Sequence, residues 1–389
     1  MNFASRIKGL GPEGAYSVMA LASALEKEGR DIIHLEIGQP DFGTFPEIIQ
    51  AGKDAIDAGF TRYNPPEGYA DLRETIAQYS QRRSILADPS QVVVAPGAKP
   101  VLLFPMLALV EPGDEVLYPD PGFPSYRSTI ELAGGTPVPV PLIEANSFSF
   151  DLGALAARIS PRTKLLILNS PANPTGGVIP KADLETIARL AQKHDFWVMS
   201  DEIYSRLVYD NIKAESIYAI DGMADRTIVV DGFSKSYAMT GWRLGYAVMP
   251  EELARKVSLL ITHAVGCTAG FTQKAGVAAI EQGDRYIAEI IERYQRRRNR
   301  FIDGLNQIDG LNCRLPEGAF YAFVNTSALG IPSAKLAERL LQEAGVACVS
   351  GTDFGKNGEG YVRFSYATSN GQLQSAVERI ADFVNKLLR

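Results

Sequence analysis

Four short polar segments, each following an apolar run, hold side chains that could do chemistry: Gly97-Ala98-Lys99, Asn169 to Gly176, Asp201-Glu202-Ile203-Tyr204 and Ser234-Lys235. Between them they offer an amine, a carboxylate, a phenol, an amide and a run of backbone N–H groups. An amine that attacks a carbonyl must be deprotonated part of the time, which burial and nearby cations favour. A solvated loop lysine is the ordinary alternative for Lys235. Asp201 comes straight after an apolar run, where a carboxylate needs a partner to offset its lost hydration; capping a helix is the other common role for such an Asp. Pro96-Gly97 forms a turn and Pro100 is tolerated in a first helical turn, so the N–H groups of Ala98 and Lys99 open a helix, where anions bind well. The set suits a ligand carrying a phosphate, a ring nitrogen, a phenolic oxygen and an aldehyde.

These segments converge only if the runs before them are neighbouring strands. Candidate strands are Val92–Ala95, Glu115–Tyr118, Leu165–Asn169, Trp197–Ser200, Thr227–Val230 and Tyr246–Val248, with helical stretches at Lys99–Leu109, Tyr126–Leu132 and Lys181–His194 between them. Runs such as Leu165-Leu166-Ile167-Leu168 do not alternate, as expected of parallel strands covered on both faces. Ligands of such sheets bind beyond the carboxyl ends of the strands, where the four segments lie. The C-terminal part reads as α+β: one long amphipathic helix over roughly residues 274–307, strands at Ala319–Val324 and Gly360–Tyr366, and a last helix at Leu373–Leu388. The expected division is a large α/β domain over 46–285 and a small domain made of 1–45 with 286–389.

At 389 residues the chain is long enough for two domains. Its net charge of -6 gives no reason to expect nucleic acid or an anionic membrane as partner. Cys267, Cys313 and Cys348 are far apart and odd in number, which reads as free thiols in a cytoplasmic protein rather than a disulfide framework. The histidines, His34, His194 and His263, are equally scattered, so no metal site is expected.

The segment Asp231-Gly-Phe-Ser-Lys-Ser-Tyr-Ala-Met-Thr-Gly-Trp-Arg-Leu-Gly-Tyr246 closely resembles the lysine motif of class I aminotransferases, pyridoxal-phosphate enzymes of fold type I related to aspartate aminotransferase. Asn169-Ser-Pro-Ala-Asn-Pro-Thr-Gly176, Asp201-Glu-Ile-Tyr204 and Tyr361-Val-Arg-Phe-Ser365 resemble three further motifs of that family, in the same order and at matching separations. The resemblance implies a mostly parallel seven-stranded sheet covered by helices. It implies that Lys235 holds pyridoxal 5'-phosphate covalently and then carries a proton, and that Asp201 pairs with the ring nitrogen. Asn173 and Tyr204 would donate to the phenolic oxygen, and Phe123 would stack on the ring. Gly97, Ala98, Lys99, Ser234 and Arg243 would hold the phosphate. Many relatives carry a serine three residues before the lysine; here that position is Gly232, so one phosphate contact is expected to be missing or replaced. Tyr63 resembles a tyrosine that reaches the phosphate from a neighbouring subunit, which implies a homodimer with shared active sites. Arg363, helped by Asn173 and the backbone of Gly38, would bind the substrate α-carboxylate; an internal salt bridge is the bland role for such an arginine.

The implied reaction exchanges an amino group between an L-amino acid and a 2-oxo acid by a ping-pong route. Carbon–sulfur lyases and other carbanion chemistries share the scaffold, and a non-catalytic binding module is the remaining alternative. The Met-Thr-Gly-Trp-Arg segment and the joint presence of Lys235, Asp201, Tyr204 and Arg363 favour amino-group exchange. The family's N-terminal segment folds over the substrate, which makes Ala15 and Tyr16 the expected lining of the side-chain pocket. Tyr16→Ala is therefore expected to reorder amino acids by kcat/KM, and an unchanged order across a panel would remove Tyr16 from that pocket.

Overall fold

The structure is a computed structural model that describes residues 3–8 and 10–389. Its centre is an eight-stranded sheet. Read across, the strands are Val92–Ala95, Gly245–Val248, Thr227–Gly232, Trp197–Asp201, Thr163–Asn169, Glu115–Asp120, Thr136–Ile143 and Ser149–Phe150. The five strands from 227–232 to 136–143 run parallel, in register pairs such as Asn169 with Asp201 and Asp201 with Val230. Gly245–Val248 is antiparallel to both its neighbours. The non-alternating runs are buried on two faces at once. Leu165 and Ile167 join the helices Ala98–Leu109 and Glu251–Ala264 in one apolar cluster, while Leu166 and Leu168 pack with Ile187 and Ala191 of the helix Lys181–His194 in another.

Sheet and expectation differ at one edge. Thr136–Ile143 carries prolines at 137, 139 and 141, residues that argue against a strand because they cannot donate to a ladder. It is nevertheless a strand, and its alternate spacing explains why. The N–H of Thr136 donates inward to Asp114, whereas the carbonyl of Pro141 accepts from Asp151 on the outer side. The three missing N–H groups therefore all fall on the outer edge, where only the two-residue Ser149–Phe150 pairs. That short pair is the eighth strand.

The expected long helix is two, Gly270–Gln282 and Asp284–Asn306, meeting at Gly283. A Cβ on Gly283 would lie 2.5 Å from the Tyr237 ring, so the junction passes too close to that side chain for any larger residue. Beyond it, Tyr321–Asn325, Tyr361–Ser365 and Val349–Ser350 form an antiparallel three-stranded sheet. Ile33–His34 pairs in parallel with Val346–Ala347, bringing the N-terminal segment onto the C-terminal part.

Two backbones approach closely at Gly245, where an added Cβ would lie 2.5 Å from the carbonyl carbon of Gly97 and 2.6 Å from the nitrogen of Ala98. Neither atom belongs to a flexible side chain, so the start of the Ala98–Leu109 helix would have to move. Gly245→Ala is expected to destabilise the fold by about 1–3 kcal/mol in chemical denaturation. Gly371→Ala, in the exposed first turn of the Asn370–Leu387 helix, meets no crowded atom and is expected to be neutral or slightly stabilising in the same measurement.

Candidate active site

A cleft of about 540 Å³ opens at the carboxyl ends of the parallel strands. Lys235 sits in the turn after Thr227–Gly232, and its Nζ donates a 2.6 Å hydrogen bond to the Gly38 carbonyl. The same nitrogen stands 6.0 Å from the ring centres of Tyr204 and of Phe320. Burial, and then the positive charges of Arg363 and Arg243, push its pKa down from 10.5 to about 8. Near neutrality a usable fraction of this amine carries a lone pair.

Asp201 ends its strand with the carboxylate inside the cleft. Tyr126 Oη donates to Oδ2 at 2.7 Å and the Ile203 N–H to Oδ1 at 3.2 Å, but among the described residues the carboxylate forms no ion pair. Burial pushes its pKa up to about 6, against the lowering effect of those two donors. Turns rather than a helix follow it, so helix capping does not explain this Asp. It is a buried acceptor in want of a cation.

The loop from Asn169 to Gly176 is pinned by its first residue. Asn169 Nδ2 donates to the Asp201 carbonyl at 3.0 Å, and Asn169 Oδ1 accepts from the Asn173 N–H at 2.9 Å. Asn173 Oδ1 accepts in turn from Arg363 at 3.0 Å. Tyr204 and Tyr321 share a 2.7 Å hydrogen bond between their hydroxyls.

Arg363 is buried, donates to Asn173 and to the Glu36 carbonyl, and lies 4.6 Å from the Tyr321 ring centre and 4.9 Å from that of Phe354. Its Nε has no partner, and among the described residues it pairs with no carboxylate. Burial lowers its pKa from the ordinary value. An internal salt bridge is therefore absent, and a planar guanidinium is left open to a bidentate anion.

A second anion cradle lines the same cleft. Gly97 holds a φ of 93° at the N-cap of the helix Ala98–Leu109. A Cβ there would lie 2.3 Å from Nη2 of Arg243, so the guanidinium rests directly on the glycine beside the helix N-terminus. Arg243 itself adopts a φ of 54°, uncommon outside glycine, and donates to the Thr240 carbonyl at 2.9 Å. Ser234 lines the cleft close by. Gly232, the position expected to lack a serine, pairs with Gly245, and a Cβ on it would come within 3.1 Å of the Gly245 Cα. The Lys99 side chain pairs with Glu13, which lines the same cleft and also accepts from Ser125 Oγ at 2.8 Å.

The residues singled out in the sequence thus gather in one place. Ala15, Tyr16, Gly38, Ala98, Lys99, Phe123, Asn173, Asp201, Tyr204, Ser234, Lys235, Arg243 and Arg363 all line the cleft, and Gly97 flanks it. Tyr63 does not line it; it is 96% exposed on its own chain. Among the lining residues that sequence reasoning missed are two hydrogen-bonding tyrosines, Tyr126 and Tyr321. Both are fully or almost fully buried, Tyr321 within an apolar run and Tyr126 on a mixed helix, and a buried phenol must find a hydrogen-bond partner. That requirement was their only signal, and it does not name the partner.

Comparison with known proteins gives a consistent result. Residues 30–380 match the family described as aminotransferase class I and II. The chain is 43% identical to the aspartate aminotransferase of Pyrococcus abyssi, over 90% of this chain and 91% of that one. It is 39% identical to the aromatic-amino-acid aminotransferase 2 of Thermococcus litoralis, over 98% and 97%. The solved aspartate aminotransferase of Thermus thermophilus with maleate superposes with a TM-score of 0.94 at 37% identity, covering 98% of this chain and 99% of that one.

The depressed Lys235 pKa has a consequence for stability. Between pH 10.5 and about 8 the unfolded chain binds a proton at this amine that the folded chain does not, so stability falls across that window as pH is lowered and stays reduced below it. The cost is about 3 kcal/mol. Cofactor-free Lys235→Met is expected to unfold at higher denaturant than cofactor-free wild type at pH 7, with the difference fading towards pH 11. Equal midpoints at pH 7 would mean that the amine is hydrated in the folded state.

Proposed function

The chain belongs to the class I and II aminotransferases, and from that premise we propose how its own residues divide the work. It is a pyridoxal-phosphate-dependent enzyme that uses amino acids and 2-oxo acids. The observation that carries the residue assignment is one pair of groups of opposite charge, the half-buried Lys235 and the buried Asp201. Both face one cleft, and neither is tied to an opposing side-chain charge. The remaining groups fit the cofactor part by part: the Gly97–Arg243 cradle fits its phosphate, Asp201 its protonated ring nitrogen, Tyr204 and Asn173 its phenolic oxygen, and Phe123 the face of its ring. When bound, the cofactor supplies an aldehyde that takes the amino group and a ring that withdraws electrons from the substrate Cα.

Lys235 would hold the cofactor through its amine, and the same nitrogen is placed to take and return the substrate Cα proton as a base whose pKa lies close to working pH. Arg363 grips the α-carboxylate in a bidentate fork, with Asn173 and the Gly38 backbone beside it, and so fixes which substrate bond faces Lys235. Asp201, held by Tyr126, would offer its negative charge to the ring nitrogen of the cofactor. Tyr321 orients the Tyr204 hydroxyl. Tyr16 and Ala15, from the helix Gly14–Lys27, cover the side-chain end of the cleft.

Three further assignments belong to the same proposal. The domains divide as 46–285 and 1–45 with 286–389, supported by the large sheet lying within 92–248 and the small sheets outside it. The enzyme is a homodimer in which Tyr63 completes the neighbour's phosphate site. Its support is the exposure of Tyr63 and a second hollow of about 770 Å³, lined by Phe42, Ile56 and Phe271, that borders the same Arg243. The location is cytoplasmic, supported by three free thiols; no helix among the described residues is long and apolar enough to cross a membrane.

The test is the cofactor's visible absorbance in purified enzyme across a panel of amino acids. It is expected to disappear on adding a good donor and to return on adding a 2-oxo acid. Lys235→Ala should abolish the cycle, and Asp201→Asn should lower kcat by about 10²–10⁴-fold. Release of ammonia or pyruvate without recovery of the absorbance would instead assign elimination chemistry to these residues.

A further inference from the structure

Behind the cleft lies an ion cluster that none of these roles uses. Arg83, just past the helix Ala70–Gln81, sends its guanidinium between two buried acids. One is Glu202, the residue directly after Asp201. The other is Asp231, four residues before Lys235 and 3.6 Å from Arg83. The side chains of Glu202 and Asp231 are 2% and 7% exposed. Each is fully engaged: Glu202 Oε1 accepts from Ser200 at 2.8 Å and Ser216 at 2.7 Å, while Asp231 accepts from the Gly232 N–H at 2.7 Å and from Tyr246 Oη at 3.3 Å. Asp201 and Val230 are partners across neighbouring parallel strands, so the two acids are the next residues along those same strands. Arg83 thus ties the ends of the two strands that present Asp201 and Lys235.

We propose that Arg83 is a positioning residue for amino-group transfer: it clamps Glu202 to Asp231 and cancels negative charge directly behind Asp201, so that Asp201 stays ionised while the enzyme works. The proposal rests on the role given to Asp201 above. Three buried acids, Asp201, Glu202 and Asp231, crowd this layer, and like charges this close disfavour one another's ionised forms. Among the described residues Arg83 is the cation paired with the latter two. The other titratable groups around them are Tyr79 and Tyr246 beside Arg83, and Tyr126 and Lys235 facing Asp201; Arg206 pairs with Asp284 and Tyr237 just beyond. Repulsion from Glu202 already contributes to the raised pKa of Asp201, with Arg83 in place.

The direction of the effect follows. Without Arg83 the uncompensated acids would make Asp201 hold its proton to higher pH, so activity would fail sooner on the acid side. The experiment is the pH profile of kcat for the cofactor-loaded enzyme with one amino-acid and 2-oxo-acid pair, with thermal melts as control. Arg83→Met is expected to move the acid limb up by about one unit, roughly a tenfold loss of kcat on that limb, with KM changed less than twofold. Adding Glu202→Gln to Arg83→Met should move the limb back, and Arg83→Lys should retain most of the wild-type profile. A lower melting temperature with an unmoved limb, or a double variant that recovers nothing, would overturn the proposal and leave Arg83 purely structural. If Arg83→Met does not fold, Glu202→Gln alone decides, because removing this neighbour of Asp201 should shift the limb down; an unmoved or raised limb overturns the idea. A fully active Asp201→Asn would instead sink the underlying role of Asp201, an outcome distinct from any result at Arg83.

Discussion

An amine and a carboxylate held in one desolvated cleft without touching each other is the constraint on which the surrounding architecture depends. Left to themselves, Lys235 and Asp201 would gain from pairing, and a direct ion pair would hide both from a ligand. The structure keeps them apart by giving each a neutral companion, the Gly38 carbonyl for the amine and the Tyr126 phenol for the acid. Neutral hydrogen bonds satisfy the polar atoms without consuming the charges. Arg363 follows the same pattern, held by an amide and a carbonyl rather than by an acid. A ligand that brings the missing counter-charges is therefore bound for electrostatic reasons before any shape is considered.

The scaffold supplies this arrangement from backbone geometry. Parallel strands end side by side, so residues that follow different strands, such as Asn169, Asp201 and Lys235, become neighbours although they are far apart in the chain. The helix Ala98–Leu109 begins where Gly245 and Gly97 let two backbones meet, and the Arg243 guanidinium lies in the space a larger residue at 97 would fill. Small residues at these points keep a helix N-terminus and an arginine within reach of one anion.

The site was legible in the sequence because its residues follow runs whose burial pattern is unambiguous, and because four motifs arrive in order. The strand-like setting of Arg363 called for a counter-charge without saying whether a ligand or an internal acid supplies it; among the described residues no acid pairs with it. The strand Thr136–Ile143 was hidden by its prolines, which only a partly open edge tolerates, and the break at Gly283 was hidden by an amphipathic pattern that runs through it. Tyr126, Tyr321 and Arg83 stayed invisible for a different reason. Their roles are defined by partners far away in sequence (Asp201, Tyr204, and the Glu202–Asp231 pair), and no local pattern encodes such a meeting.

Prolines 137, 139 and 141 also decide how this molecule meets its own kind in a crowded solution. An open strand normally offers alternating donors and acceptors, a template on which another extended chain can dock and from which fibrils grow. Here the outward positions present carbonyl oxygens with no N–H between them, and the short Ser149–Phe150 segment occupies part of what is left. A stray strand would find half of its hydrogen bonds unanswerable, so this margin of the large sheet is closed to polymerisation by composition rather than by a covering domain.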